Sequence, residues 1–486
     1  MKLALLLAAF VQLLAECSGP PYSRPDTMLP PVYRDETTAS QTGPSMGDLG
    51  WWQIFKDPEL LHLERTAVAQ NQDVLVAAQR VQQAMAQLTI THSGAFPQIN
   101  AVLSAPYQQT NGSISLFSPR STFAPNGLLT LQYEVDLFDK VGSATAAARA
   151  QVLQSEYSRE TVMSTVVASV ATLYFQLREL DDELAISQQT LIARKKSLDL
   201  VTARLEGGIG TLQDVDQATQ LVAQVEAAIP QLQSAIEATE NALTILIGQN
   251  PGPVTRGLPL AQQIDLPDAP AAGLPAALIE RRPDIKASEA ALIAANAQIG
   301  QARALLFPQF TIGASAGAGS SQANNVGLAT LLGKAATTTY GQGFVSILPQ
   351  LVQQIFNAGA VRAGVGAAQA GREAALLQYV ETIHQSLGDV SNSLVSYREA
   401  RTSVAAQTIN AKAAAESTDL ANDRFEAGVT SYLEVLVSDT QSYSAELNLV
   451  QAQYLERNSL VQLYKALGGG WQEEPSAQTT GSSPRL

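Results

Sequence analysis

Apolar residues recur along this chain with two different periods, and each period predicts a different kind of element. Met163, Val170, Leu177, Leu184, Leu191, Leu198 and Leu205 stand seven residues apart without a miss, with Val166, Leu173, Leu180 and Val201 as a second seam three positions on. A sustained seven-residue repeat marks a coiled coil, and its mismatch with 3.6 residues per turn imposes a left-handed supercoil. The seam breaks at Gly207-Gly208 and resumes at Val215, Val222, Ile229, Ile236 and Leu243. This predicts two long helices folded back as an antiparallel hairpin. Helical from Asp139 to Glu206, the first arm would reach on the order of 100 Å at ~1.5 Å per residue. Pro230 is expected to kink or interrupt the return arm, because it removes one helical hydrogen bond and crowds the preceding turn.

The second period is two. From Leu129 to Leu137 every odd position is apolar and every even one polar, the pattern of a strand with unlike faces. Its expected partner is Gln98 to Tyr107, across the polar loop Asn111 to Thr122. Further on, Phe310 to Ala318 and Tyr340 to Leu351 form a second such pair around a Gly/Ser/Ala/Thr-rich loop. These strands are long enough to cross a bilayer when tilted. A soluble sandwich with one wet face fits the alternation equally well. If the strands lie in a membrane, four per chain are too few to close, and the barrel must be assembled from several chains.

Both patterns occur twice. Arg204-Leu205-Glu206-Gly207-Gly208-Ile209 is followed 220 residues later by Arg424-Phe425-Glu426-Ala427-Gly428-Val429, and the same offset relates Asp214 to Glu434, Leu243 to Leu463 and Gly248 to Gly468. Upstream, Phe96-Pro97-Gln98 corresponds to Phe307-Pro308-Gln309. A period above 200 residues indicates a duplicated domain and not a solenoid. The second copy keeps its seam more loosely, at Ile383, Val390, Tyr397 and Val404.

Composition narrows the classes. Only 15% of residues are charged, with Ala, Gln, Ser and Thr filling polar positions, and the net charge is −14. Such an acidic chain is a poor match for a nucleic-acid backbone. One Cys and three scattered His argue against an internal disulfide, a thiolate zinc site or another metal cofactor. No Ser/His/Asp set, phosphate loop or paired-carboxylate motif supports an enzyme. Past residue 15 no apolar run reaches the ~18 to 20 residues of a spanning helix, so a membrane would be met by a barrel or a lipid.

The first residues favour the lipid. Lys2 and the apolar stretch Leu3 to Ala15 have the form of a secretory signal. Leu14-Ala15-Glu16-Cys17 resembles a bacterial lipobox, with Glu16 where that box has a small residue; the resemblance implies N-palmitoyl and S-diacylglycerol groups on Cys17. An ordinary signal cut nearby, with Cys17 left as a free thiol, is the alternative. Organisation follows as signal peptide 1–16, a lipid-anchored Pro-rich arm 17–50, and a first repeat 51–250 with strands at about 97–137 and a hairpin at about 139–248. A linker at 251–274 leads to a second repeat 275–470, with strands at about 308–356 and a hairpin at about 359–468, and a flexible tail 471–486.

Three stretches carry a family resemblance: Trp51-Trp52-Gln53-Ile54-Phe55-Lys56-Asp57-Pro58-Glu59-Leu60, Glu280-Arg281-Arg282-Pro283-Asp284-Ile285, and Ala294-Ala295-Asn296-Ala297-Gln298-Ile299-Gly300 leading to Phe307-Pro308. In this order, within a duplicated unit, the chain resembles the TolC-like outer-membrane efflux factors and their NodT-type lipoprotein branch. The resemblance implies a mostly α fold with a transmembrane β part. It also implies a homotrimer with a twelve-stranded barrel and an α-helical periplasmic tunnel, working passively with a periplasmic adaptor and an inner-membrane efflux pump. A type I protein-secretion conduit would share this architecture. The family's tunnel closes near the second hairpin's turn, where acidic residues ring the opening; Glu434 occupies the matching position and Asp214 is its repeat mate. Three chains would place six carboxylates there and attract cations. Both residues also stand in the first helical turn after a Gly break, where a carboxylate simply favours the macrodipole. The family's pinning Tyr and Arg positions are Phe425 and Thr430 here. Arg281-Arg282-Pro283-Asp284 is read as a helix start without a ligand, and Trp51 and Trp52 as core in preference to an interface belt.

Overall fold

The computed structural model describes residues 19–34, 45–109, 121–263, 272–324 and 337–470. Cys17, the signal segment before it and the tail 471–486 lie outside the described residues. The main elements run α1 (Pro58–Gln70), α2 (Gln72–Ser93), β1 (Gln98–Ser104), β2 (Tyr107–Gln109), β3 (Ser121–Phe123), β4 (Asn126–Val135), α3 (Lys140–Glu206) and α4 (Leu212–Leu246). The second half repeats them as α5 (Pro275–Arg281), α6 (Pro283–Ala304), β5 (Gln309–Asn324), β6 (Thr337–Val352), α7 (Ala360–Glu426) and α8 (Tyr432–Ala466). Both long arms have 67 residues and both return arms 35, so the duplication is preserved in helix length as well as in sequence.

The chain folds as two compact units, one of Met1–Pro25, Gln82–Gln154 and Glu289–Gln378, the other of Asp26–Val81, Ser155–Ser288 and Tyr379–Leu486. The division does not follow the repeats, because each repeat contributes to both units.

The first unit holds the sheet. All its pairings are antiparallel: β1 with β4, β4 with β5, β5 with β6, the short β3 with the far end of β5, and the short β2 with β3. Pro106 and Pro125 explain why one strand pair is written as four segments. Neither residue has an N–H to give a ladder, and the Ala124 N–H donates to Pro106 O at 3.1 Å to bridge the gap. The sheet thus has four strand paths, the number expected from the alternation. Where β4 meets α3, Asp136 caps the helix by accepting from the N–H groups of Lys140 (2.6 Å) and Gly142 (2.8 Å). Glu134 pairs with Lys140 at 2.8 Å. The rings of Phe138 and Phe307, one from each repeat, stack with centroids 4.9 Å apart.

The first described residues of the N-terminal arm, Gly19–Pro25, dock in this unit without regular structure. Glu289, on α6, accepts from Arg24 Nε and Nη2 at 2.7 and 2.8 Å and from the Tyr22 hydroxyl at 2.9 Å. Gly19 and Gly300 meet backbone to backbone: a Cβ on Gly19 would stand 2.7 Å from Gly300 Cα. Asn296 and Gly300 of the third resemblance stretch are therefore the arm's seat, since Asn296 Nδ2 donates to Pro20 O at 2.6 Å.

The second unit buries part of each coiled-coil seam, with Leu184, Leu191, Leu198, Leu205 and Val404 only half-buried within the chain. Met163, Val170 and Leu177 of the first copy and Ile383, Val390 and Tyr397 of the second are buried. Its other resemblance stretches turn out to be clasps. Trp51 and Phe55 are core, the latter edge-on to Phe175 at 6.1 Å. Asp57, fully buried, caps α1 through the Glu59 N–H and accepts from Tyr174 Oη, the Leu258 N–H and Gln263 Nε2, each of these three at 2.8 Å. Gly257 must be glycine, because a Cβ there would lie 1.9 Å from Asp57 Oδ1. Arg281 pairs with Asp48 at 2.8 Å, and Arg282 with Asp284 at 2.6 Å and Asp389 at 3.2 Å. Pro283 opens α6, as its missing N–H allows. Pro230, by contrast, does not interrupt α4, which is helical from Leu212 to Leu246. It sits on the exposed side of the helix, where the lost hydrogen bond does not strand a buried carbonyl.

Candidate functional site

The sheet has two unlike faces, and the register says which residue is on which. Residues directly opposite in an antiparallel ladder share a face. One face carries Ala101, Leu129, Ala316 and Val345 in one row and Ile99, Leu131, Ala314 and Ile347 in the next. Toward the strand ends the same face continues with Tyr133, Ile312 and Pro349, then Val135, Phe310 and Leu351. Val345, Ile347 and Leu351 are exposed. The other face is mainly polar: it carries Asn100, Thr130, Ser315 and Ser346, then Gln98 and Gln132 with Leu348, then Glu134, Thr311 and Gln350, and on the far side of Asn100 the apolar row Val102, Leu128, Gly317 and Phe344. An exposed apolar band backed by a mainly polar face is the arrangement of a strand wall between lipid and water. Among the described residues β1 pairs only with β4 and β6 only with β5, and no helix is long and apolar enough to cross a membrane.

In the second unit the two hairpin turns pack together. At the first, α3 ends in Gly207-Gly208, and Gly208 adopts φ +76°, closing the helix as the N–H groups of Ile209 and Gly210 return to Arg204 O. Thr211 caps α4: its hydroxyl accepts from the Asp214 N–H at 3.2 Å, while Asp214 Oδ2 accepts from the Thr211 N–H at 3.2 Å and hydroxyl at 2.7 Å. This is a closed capping box. At the second turn Gly428 adopts φ +72° and Val429 N–H returns to Arg424 O, but Ser431 makes no side-chain cap. Glu434 is drawn elsewhere, to Arg424 at 2.7 Å and to the Thr430 hydroxyl.

Three contacts tie the turns to each other. Arg204 Nη1 donates to Phe425 O at 2.8 Å, its guanidinium lies 4.4 Å from the Phe425 ring centroid, and Ser197 Oγ donates to Tyr432 Oη at 3.2 Å. Val201, Ala218, Phe425, Tyr432 and Val435 form the apolar cluster beneath. Between the turns lies a cavity of about 540 Å³ whose wall includes Arg204, Asp214, Thr430 and Leu433. The structure thus places Asp214 on this wall and Glu434 in an ion pair beside it. Residue patterns did not point to Arg204 or Tyr432. The one available signal was that Arg204 and Arg424 hold the same place before both Gly breaks.

Farther along the hairpins several carboxyls are buried. Burial pushes Glu179 up to about 8, with Glu183 adding repulsion. Burial likewise raises Asp439, against the pull of Arg194, which holds it at 2.8 Å while donating to Leu221 O at 3.0 Å. Glu64 of α1 is fully buried with neither carboxylate oxygen hydrogen-bonded, and burial raises it strongly. Among the described residues no cluster of His, Cys, Asp and Glu could hold a metal ion.

A two-faced strand wall and duplicated helical hairpins in one chain define an outer-membrane channel subunit. The model of the outer membrane efflux protein family matches residues 63–249 and 274–469, and the chain belongs to that family. It is 31% identical over 483 residues to the probable efflux pump outer membrane protein TtgC of Pseudomonas putida, covering 97% of this chain and 96% of that protein. It is 31% identical over 464 residues to the outer membrane protein OprJ of Pseudomonas aeruginosa, covering 95% and 94%. Among solved structures it matches the open state of the Neisseria gonorrhoeae MtrE outer membrane channel, with TM-score 0.81, 28% identity, and 93% of this chain and 98% of that one covered. The outer-membrane channel OprN is similar at TM-score 0.79 and 27% identity, over 94% and 100% of the two chains.

Proposed function

We propose that the chain is the outer-membrane exit duct of a tripartite efflux system, conducting small molecules passively out of the cell after an inner-membrane pump and a periplasmic adaptor have delivered them. The observation that carries this reading is the sheet: one face apolar, one mainly polar, four strand paths, and, among the described residues, open edges at β1 and β6. Backbone groups cannot be left unpaired in hydrocarbon. Three chains, joined β6 to β1, would satisfy both edges and make a twelve-stranded barrel with the polar face inward. The subunit itself does no chemistry; the pump supplies energy and selection.

In that trimer the paired turns serve as the gate. Asp214 and Glu434 would contribute six carboxylates around one opening, in addition to the capping and ion-pair roles they have within a chain. The cavity between the turns, apolar at Leu433 and polar at Thr430 and Asp214, offers the adaptor a seat. Cys17 carries N-palmitoyl and S-diacylglycerol groups that hold the arm at the membrane, and the docking of Gly19 on Gly300 and Arg24 on Glu289 supports an anchor that starts two residues earlier.

A detergent-solubilised mass near three times 51.4 kDa is expected from the full chain; a soluble monomer would refute the duct. Labelled palmitate should enter the natural protein but not Cys17→Ala, and equal labelling of both would remove the lipid from the account.

A further inference from the structure

The register gives every cross-strand row to one face, and while Leu348 and Val352 are single apolar residues in otherwise polar rows of the polar face, one row of that face is apolar throughout. On the polar face Asn100, Thr130, Ser315 and Ser346 form a row with no apolar member. Two rows farther from the helices, Ser104 and Asn126 stand opposite each other beside Gly319, with the Ser104 hydroxyl donating to Asn126 Oδ1 at 2.5 Å. Between these polar rows lies Val102, Leu128, Gly317 and Phe344, in which no side chain is polar.

The row is a continuous apolar strip. A Cβ on Gly317 would stand 3.0 Å from Phe344 Cε1 and 3.2 Å from Leu128 Cδ1, so the side chains on either side lean together over the bare strand. Val102 and Phe344 remain 47% and 55% exposed. The strip is not required to face lipid, because the opposite face supplies a full apolar band. If the polar face is the inner wall, as in the duct reading on which this step rests, three copies repeat the strip into a ring within the lumen.

We infer that Val102, Leu128, Gly317 and Phe344 form a resting site on the lumen wall for the aromatic or aliphatic part of a small molecule in transit. Phe344 offers a half-exposed ring for offset or edge-to-face contact, Gly317 keeps the wall flat beneath it, and Ser315, Ser346 and Asn100 stand one row away to meet a solute's polar end. A conducting pore needs sites that attract without trapping. A strip one residue deep, bounded on both sides by polar rows, provides shallow contact of that kind.

The test uses two cations of equal charge, tetramethylammonium and benzyltrimethylammonium, applied to the purified full-length protein in a planar bilayer while single-channel current is recorded. The benzyl compound should interrupt the current with dwell times about tenfold longer, the factor that partial burial of one aromatic ring supplies. Phe344→Ser should erase the difference between the probes while leaving unblocked conductance in place, and Phe344→Leu should keep most of it. If Phe344→Ser does not assemble, Val102→Thr, nearly isosteric, should still shorten the benzyl dwell. Equal dwell times for both probes in the natural protein, or a difference that survives both polar substitutions, would overturn the site while leaving the duct standing. Absence of any channel current would overturn the duct and the site with it.

Discussion

The two hairpin turns are copies of one design put to different use. Both end a 67-residue helix with a glycine at positive φ, both start a 35-residue helix from a hydroxyl residue, and both place a carboxylate three residues on. In the first turn the carboxylate closes on its own cap: Asp214 and Thr211 satisfy one another, which frees Arg204 to reach the other hairpin. In the second, Glu434 has one more methylene and reaches back to Arg424, leaving Ser431 without a side-chain cap. The first turn is therefore self-contained with an arginine that binds its neighbour, and the second binds its own arginine and receives the neighbour's. One added methylene and the exchange of Leu205 for Phe425, whose ring and carbonyl Arg204 holds, divide the labour between them.

The largest expected difference is in packing. Phe425 is buried in the inter-turn cluster and Leu205, at the same repeat position, is only half-buried. Phe425→Ala should cost about 3 to 5 kcal/mol and Leu205→Ala about 1 kcal/mol or less, read by denaturant unfolding in detergent. Equal costs would mean that the turns are interchangeable.

A second contrast extends the comparison along the arms. Glu179 is buried and pushed up to about 8, while Glu399, 220 residues later, is exposed beside Arg398. Since the folded protein holds a proton on Glu179 that the unfolded chain releases near its ordinary value of 4.5, stability from this group is complete below that value. It is lost as pH rises toward 8. Glu179→Gln should flatten the pH dependence between 5 and 8, an effect on the order of 2 to 4 kcal/mol at the upper end; Glu399→Gln should leave it unchanged. Parallel thermal melts of the two variants decide the point.

Next in size are the caps. Thr211→Ala should cost about 1 kcal/mol, the usual loss for an N-cap hydroxyl. Ser431→Ala, with no side-chain bond to lose, should cost a few tenths at most. Smallest is the Arg424–Glu434 pair, whose side chains are nearly half-exposed. Separating it by Arg424→Gln should change stability by about 0 to 1 kcal/mol, and less in high salt. A salt-independent loss would show that the pair is shielded in the assembled protein.

Much of this arrangement was legible from residue patterns because its causes are local. The seven-residue seam fixed the arms, Gly208 and Gly428 fixed where they turn, and period-two alternation fixed which strand residues share the apolar face. Pro230 misled because proline's cost depends on what lies opposite its missing N–H, and here that is the exposed side. The tie from Arg204 to Phe425 was not legible: it joins residues 221 apart in the chain and exists only once two hairpins have docked. The clasps at Asp57 and Arg282 were visible as distinctive runs of residue types without an obvious role, and only the approach of Gly257, Tyr174 and Asp389 gives them one.

The central claim, a cation-favouring outer-membrane duct gated at the paired turns, is tested most directly by single-channel recording of the purified full chain in planar bilayers, beside the Asp214→Ala and Glu434→Ala double variant. The natural protein should open in discrete cation-selective steps, and the double variant should show higher conductance with weaker cation preference. Conductance and selectivity unchanged by the double substitution would contradict the gate, and no conductance from either protein would contradict the duct.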